Sequence, residues 1–281
     1  MPIRKCVNPR IAPGIALGLF LLLAEGVAGA SPVYFIGASS GGQNGRDSLY
    51  VINPVTGSPV RIGPITDDHR DMGMEGLAFS SSLGLFGAED GTLYSINEST
   101  GHATSIGALG VNLTALVDDP ANGILYGAAG NRLYTVDTSN GQASLVGSGS
   151  QPGGHGKDAL AFDSSGDLYE TGGGHGPNSL YLIDPATGAS TRIGAPGAIG
   201  FNEVDGLAFV DGTMYGFTAT GLEITINLSD GVGSFFQSVY VGVEAAAVDP
   251  PGDTPEPAYL VPAGLALAAM LRGRLRHISS G

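Results

Sequence analysis

The strongest constraint on the fold is a phrase that recurs along the chain. "NSLYLIDPATGASTRIG" (178–194) has three close copies: "DSLYVINPVTGSPVRIG" (47–63), "GTLYSINESTGHATSIG" (91–107) and "NRLYTVDTSNGQASLVG" (131–147). A fifth copy (221–237) is degenerate but keeps the Asn and the turn glycine. Each copy has a short run of strand formers, a turn with Asx first and Gly last, and a second short run. The phrase therefore predicts a β-hairpin.

A second phrase alternates with the first. "EGLAFSSSLGLFG" (75–87) and its counterparts at 114–127, 158–170 and 205–216 each have the pattern of a strand, a tight turn and another strand. With the hairpin, each repeat has four strands, and the turn glycines recur every 40 to 47 residues. This period indicates a β-propeller. A β-sandwich is the alternative, but sandwiches do not repeat in sequence.

The number of blades follows from the two ends of the repeat region. Four complete repeats span 75–237, and "PVYFIG" (32–37) begins a hairpin that lacks a first strand. The missing strand is found in "VEAAAVDP" (243–250). We therefore predict an all-β fold, a five-bladed β-propeller over 31–252, closed by its N- and C-terminal strands so that no sheet edge stays open.

The N-terminus has the pattern of an export signal. Basic residues precede an apolar stretch (11–24), and Ala28 and Ala30 form a small-residue cleavage site. We expect an N-terminal signal helix within a cleaved signal peptide (1–30), with an uncleaved membrane anchor as the alternative. The only cysteine, Cys6, would be removed with it, so the mature chain would hold no disulfide.

The C-terminus, "TPEPAYLVPAGLALAAMLRGRLRH" (254–277), has three parts in order. These are a Pro-Glu-Pro triplet, fourteen largely apolar residues (258–271) and a basic end. The residues of the triplet and the basic end are Pro255, Glu256, Pro257, Arg272, Arg274 and Arg276. Fourteen apolar residues are fewer than the roughly 20 of a comfortable membrane span, and the arginines would stop the segment at the cytoplasmic side.

This arrangement resembles the PEP-CTERM sorting signal of exosortase substrates in Gram-negative bacteria that make exopolysaccharide. The resemblance covers only residues 253–281. It implies a C-terminal hydrophobic sorting helix that enters the membrane transiently and an exosortase-type processing enzyme that cleaves near the triplet. It also implies delivery to the cell surface or extracellular matrix. A simple C-terminal tail anchor is the alternative.

The charge between the two ends restricts the partners. Residues 31–257 contain six Lys and Arg against twenty-five Asp and Glu, a net charge of −19. Such a body repels nucleic acid and anionic membranes, whereas cations or neutral glycans fit better. The alternative is that the acidity only keeps an exported protein soluble.

One face of the predicted propeller has long, irregular loops. They precede the first strand of a blade or join its second and third strands, and loops that depart from a repeated scaffold usually carry function. We therefore predict the working surface on this face. The loops are 38–46, 64–74, 148–157, 171–178 and 194–204.

Alignment of the first strands places acids at equivalent positions near the channel entrance on that face. The aligned residues are Glu75, Thr114, Asp158, Asp205 and Glu244. Such a ring could hold Ca²⁺ or another metal, or bind the hydroxyl groups of a ligand. The alternative is structural, with each acid accepting backbone N–H bonds from the neighbouring blade.

Three histidines on the same loops are further candidates for ligand or metal binding. With Asp68, Asp71 and Asp158, they could ligate a transition metal or act in acid/base chemistry. They have no tight ligand spacing, and glycine-rich loops often hold solvated histidines. The histidines are His69, His155 and His175.

The sequence has no phosphate-binding loop and no cofactor fingerprint. The hairpin phrase resembles repeats of bacterial exported propellers of unassigned function. Our leading hypothesis is a non-catalytic surface or matrix propeller that binds exopolysaccharide or a protein. The alternative is a polysaccharide-active hydrolase that uses the channel acids Asp158, Asp205 and Glu244, which rests on fold analogy.

Overall fold

The computed structural model describes residues 32–38, 47–55, 57, 59–67, 70–147, 159–173 and 176–249, which form twenty β-strands and no helix. The predicted signal and sorting helices lie outside these residues. The strands are β1 (Val33–Ala38), β2 (Ser48–Ile52), β3 (Val60–Pro64), β4 (Gly76–Ser80), β5 (Gly84–Glu89), β6 (Thr92–Ile96), β7 (Ala103–Ala108), β8 (Ala115–Asp118), β9 (Leu125–Ala129), β10 (Arg132–Val136), β11 (Ala143–Leu145), β12 (Ala159–Phe162), β13 (Leu168–Gly172), β14 (Ser179–Ile183), β15 (Ser190–Ile193), β16 (Val204–Val210), β17 (Thr213–Thr218), β18 (Leu222–Ile226), β19 (Gly233–Ser238) and β20 (Gly242–Val248).

The strands form five antiparallel sheets of four strands each, the blades of a five-bladed β-propeller. Blade 1 has the order β20-β1-β2-β3, and blades 2 to 5 are β4–β7, β8–β11, β12–β15 and β16–β19. The first strands of neighbouring blades contact one another and surround a central channel. The predicted all-β class and blade number are confirmed, and the sandwich alternative is wrong.

Closure of the ring joins the two ends of the described chain. Strand β1 pairs antiparallel with β20 from Val33↔Val248 to Ala38↔Gly242, with a register shift after Ile36. The backbone N–H of Asp249 then donates to the carbonyl of Pro32 at 3.0 Å. The predicted pairing of "PVYFIG" with "VEAAAV" is therefore confirmed.

The repeated phrase forms the third and fourth strands of each blade, and its Asx residue holds the turn between them. In "DPATG", Asp184 Oδ1 accepts the N–H of Ala186 at 2.9 Å, and Oδ2 accepts the Thr187 hydroxyl at 2.7 Å. Gly188 has a φ of +69°, which L-residues rarely adopt. Local side-chain chemistry thus determines each hairpin.

The same turns also join neighbouring blades. The turn of blade 3 packs against the outer strand of blade 2, where Ala143 N–H donates to the Leu109 carbonyl at 3.1 Å. A Cβ on Gly141 would lie 2.6 Å from the carbonyl oxygen of Gly107, and a Cβ on Gly107 would overlap the carbonyl oxygen of Asn140. Both glycines are therefore required for this close backbone approach.

The apolar core lies mainly between blades, in five clusters of buried side chains. Between blades 5 and 1, Phe35 stacks on Tyr50 at 5.2 Å and on Phe217 at 6.2 Å between ring centroids. Because both faces of a blade are buried, β2 is buried along its whole length.

Candidate functional site

The predicted acidic ring lies at the narrow end of the channel. Glu75, Thr114 and Asp205 line an opening of about 10 Å³, roughly enough for one water molecule. Glu244 lies in β20 at the equivalent position of its strand. Asp158 and the three predicted histidines, His69, His155 and His175, lie outside the described residues.

Glu75 connects two blades. Its Oε2 accepts a hydrogen bond from Asn112 Nδ2 at 3.0 Å, and Asn112 Oδ1 accepts the N–H of Gly91 at 3.0 Å. Glu75 and Gly91 belong to blade 2, whereas Asn112 precedes the first strand of blade 3. At this position the acid therefore contributes to blade packing, although its donor is a side-chain amide and not the backbone N–H that the structural alternative envisaged.

A neighbouring loop on the same face is held by an ion pair. Arg70 donates to both carboxylate oxygens of Glu89, at 3.2 and 3.0 Å, and the N–H of Gly73 donates to Glu89 Oε1 at 3.0 Å. The Glu89 carboxylate raises the pKa of Arg70. This contact fixes the part of the loop that leads to Glu75. Among the described residues, no group of three His, Cys, Asp or Glu is arranged to hold a metal ion.

A much larger cavity, about 340 Å³, opens at the opposite end of the channel. Four leucines and one alanine, one from each first strand, separate it from the narrow opening. All five are nearly fully buried, and the cavity and the narrow opening are separate spaces that share four of these residues in their walls. The residues of this leucine ring are Leu77, Leu116, Leu160, Leu207 and Ala246.

Two residues further along each first strand, a second ring lines the cavity. Four of its five members are apolar, namely Phe79, Phe162, Phe209 and Val248, and the fifth is Asp118. The pairing of each residue with the second strand of its blade shows the equivalence, since Phe79 faces Leu85 and Asp118 faces Leu125. An acid therefore occupies a position that the other blades fill with an apolar side chain.

The environment of Asp118 is unusual for a carboxylate. Burial raises its pKa from an ordinary 3.8 to about 6, although a hydrogen bond from Ser80 opposes the shift. At neutral pH the group is still largely ionised, and a nearby cation would stabilise that charge. Asp118 is thus the polar group most suited to orient a ligand in this cavity.

The cavity mouth is also acidic. Asp163 and Asp211 line it, together with the small polar residues Ser81 and Ser164. Asp163 Oδ1 accepts the N–H groups of Ser165 and Asp167, each at 2.9 Å, which fixes its orientation. The mouth therefore favours cationic groups over anions.

The cavity lies away from the face of long loops on which the sequence predicted the working surface. The cavity instead opens on the face of the short turns that join first and second strands. A signal was present in the aligned first strands "GLAF", "ALVD", "ALAF", "GLAF" and "AAAV", where only the second ends in an acid. Both ends of the described chain, Pro32 and Asp249, also lie on this face.

Comparison with known proteins identifies the fold. No family model and no curated protein matches the sequence. One similar solved structure comes from work on the de novo evolutionary emergence of a symmetrical protein, with 19% identity, coverage of 78% of this chain and 100% of that chain, and a TM-score of 0.52. Another is a chain of a nidogen/laminin complex, with 12% identity, coverage of 78% and 98%, and a TM-score of 0.50. In the part of the chain described, no helix is long and apolar enough to cross a membrane.

Proposed function

We propose that this protein is a non-catalytic binding protein of the cell surface or extracellular matrix, and that the central cavity is its binding site. The observation that carries the proposal is Asp118, a single acid in an otherwise apolar ring inside a cavity of about 340 Å³. Cavities of this size, mostly apolar with few convergent polar groups, are typical of ligand sites.

The chemistry of the cavity favours an apolar ligand with a cationic group. Burial of a ligand's hydrocarbon against the apolar wall contributes roughly 25 cal/mol of binding free energy per Å² of apolar surface removed from water. Asp118 supplies a negative charge that pairs with the ligand's cationic group. Sugar hydroxyls would lose water against the apolar wall without gaining partners. A protein segment with apolar and basic side chains therefore fits this cavity better than exopolysaccharide. A chain with this fold in the nidogen/laminin complex comes from an assembly of two proteins, in line with this choice.

Export and sorting remain part of the proposal and rest on the sequence. The predicted signal peptide (1–30) would direct export, and the C-terminal segment (253–281) would be recognised by an exosortase-type enzyme. The polysaccharide hydrolase has less support. Of its candidate acids, Asp205 lines an opening of about 10 Å³, which does not admit a sugar ring.

Three ligands of equal chain length test the cavity, namely octylammonium, octanol and octanoate, with affinities measured by calorimetry at pH 8. We expect octylammonium to bind about tenfold more tightly than octanol, and octanoate more weakly than both, because only the cation pairs with Asp118. Asp118→Asn should reduce the affinity for octylammonium most of the way to that for octanol, with Asp163 and Asp211 at the mouth left in place. The matched control is Asp167→Asn, a nearby exposed acid that does not line the cavity.

Acidification gives an independent test of the same group. Since the pKa of Asp118 is about 6, octylammonium should bind more weakly at pH 5 than at pH 8, and this difference should vanish in Asp118→Asn. Ala246→Leu, which adds the leucine that the other four blades carry, should weaken both octylammonium and octanol. Equal binding of all three ligands, or binding unaffected by both substitutions, would refute the proposed site.

A further inference from the structure

The C-terminal part of the chain leaves the propeller at the cavity. Val248, the last residue of β20, lines the cavity wall, and the next residue, Asp249, is anchored to the carbonyl of Pro32 at 3.0 Å. The described part of the chain therefore ends at Asp249, beside the cavity. Whatever follows it in the sequence is held close to this site by covalent connection.

The segment that follows matches the cavity in chemistry. Residues 258–271 are largely apolar and contain no charge, and three arginines follow within the next five residues. The cavity offers the complementary set, an apolar wall with one acid inside and two acids at the mouth. Pro32 also lies at this end of the propeller, but the segment before it is the predicted signal peptide (1–30), which cleavage would remove from the exported chain.

The linker between the propeller and the apolar segment is long enough for the segment to reach the cavity. Residues 250–257 form a linker of eight residues, which spans at most about 26 to 29 Å when fully extended. A short linker of this kind gives an effective concentration on the order of millimolar, so even a weak contact would be well occupied.

We propose that residues 258–271 of this chain insert apolar side chains into the central cavity, and that the arginines after them pair with the acids at its mouth. The inference rests on the proposed function of the cavity and names its occupant in the unprocessed chain. A cavity of about 340 Å³ holds only a few side chains, so the segment binds reversibly and can be displaced. Cleavage near the Pro-Glu-Pro triplet would then vacate the cavity for a separate partner.

Competition with a labelled peptide tests this occupant. The probe is a fluorescent peptide of residues 258–277, and its binding to three full-length proteins is measured by anisotropy in detergent-free buffer. The first is the wild type, and the second carries Leu265→Asp, Leu267→Asp and Leu271→Asp, which spoil its own segment. The third is a control that adds three acids at exposed outer-strand positions away from the cavity, Thr104→Asp, Ser144→Asp and Thr191→Asp.

We expect the variant with the spoiled segment to bind the peptide at least tenfold more tightly than the wild type and the control, whose own segments compete. Adding Asp118→Asn to the spoiled variant should weaken its binding, because the peptide then loses its charged partner in the cavity. Circular dichroism of each variant establishes that the propeller is folded.

The other outcomes separate this inference from the proposed function. Equal peptide binding by all three proteins would overturn the inference and leave the cavity to a different protein partner. Absence of peptide binding to the spoiled variant would also overturn it, and octylammonium binding in the same variant would show that the proposed function survives. If neither probe binds, both ideas fail.

Discussion

Replacing Glu223 by glutamine should stabilise the propeller at alkaline pH and have a smaller effect at acid pH. Glu223 lies in β18 of blade 5 and is fully buried. Its Oε2 accepts a hydrogen bond from Gln237 Nε2 at 2.7 Å, and among the described residues Oε1 has no hydrogen-bond partner. Gln237 also donates to the Pro54 carbonyl of blade 1 at 3.3 Å. Aligned copies of the repeated phrase have leucine and glycine in place of Glu223 and Gln237, so the pair is specific to the junction of blades 5 and 1.

The size of the effect follows from the pKa. Burial raises the pKa of Glu223 from 4.5 to about 7, and the hydrogen bond from Gln237 only partly offsets this. Because the folded state binds the Glu223 proton more tightly than the unfolded state, the contribution of Glu223 to stability is greatest below pH 4.5 and is lost as the pH rises from there through about 7. At 1.36 kcal/mol per pKa unit, the loss reaches about 3 kcal/mol at pH 8 and about 1 kcal/mol at pH 5.

Urea unfolding followed by circular dichroism measures this difference. Glu223→Gln keeps the size of the side chain and removes the charge, so the free energy of unfolding should rise by about 3 kcal/mol at pH 8 and by about 1 kcal/mol at pH 5. Glu203→Gln is the matched control, since it removes the same charge from an exposed loop and should change stability by less than about 0.5 kcal/mol at both values. A gain of equal size at pH 5 and pH 8, or a loss at pH 8, would refute the reasoning.

Three further predictions concern the blades and the ends of the chain. Gly107→Ala should lower the free energy of unfolding by about 2 kcal/mol or more, because its Cβ would overlap the Asn140 carbonyl. The control Gly123→Ala should lower it by only about 1 kcal/mol, because its Cβ would meet nothing within 4 Å and only the positive φ is unfavourable. Similar losses for the two variants in urea unfolding would contradict this account of the blade contact. Deletion of Gly242–Val248 should abolish cooperative thermal unfolding because it opens blade 1, and a melt like that of the intact protein would count against ring closure. The exported protein should lack the predicted signal peptide and the C-terminal arginines in intact-mass measurements, and a mature species that retains those arginines would overturn the sorting prediction.

Some features of the acidic ring could be predicted from the sequence, and others could not. The equivalence of Glu75, Thr114 and Asp205 was visible in the aligned first strands, and these three residues do line one opening of the channel. The use of Glu75 in a contact with Asn112 was not visible, because the two residues belong to different blades. The predicted binding role of the ring stays a prediction.

The sequence by itself determined the strand order, the five blades and the closing pair of strands. Turn chemistry and strand patterning are local properties that repeat with the chain, and the unpaired phrases at the two ends had no partner except each other. Only the tertiary structure decided where a ligand fits. The leucine ring separates the large cavity from the narrow opening because side chains from all five first strands meet there, and their combined volume is not a property of any one repeat. The environments of Asp118 and Glu223 have the same origin, since burial of a carboxylate depends on what neighbouring strands and blades place around it.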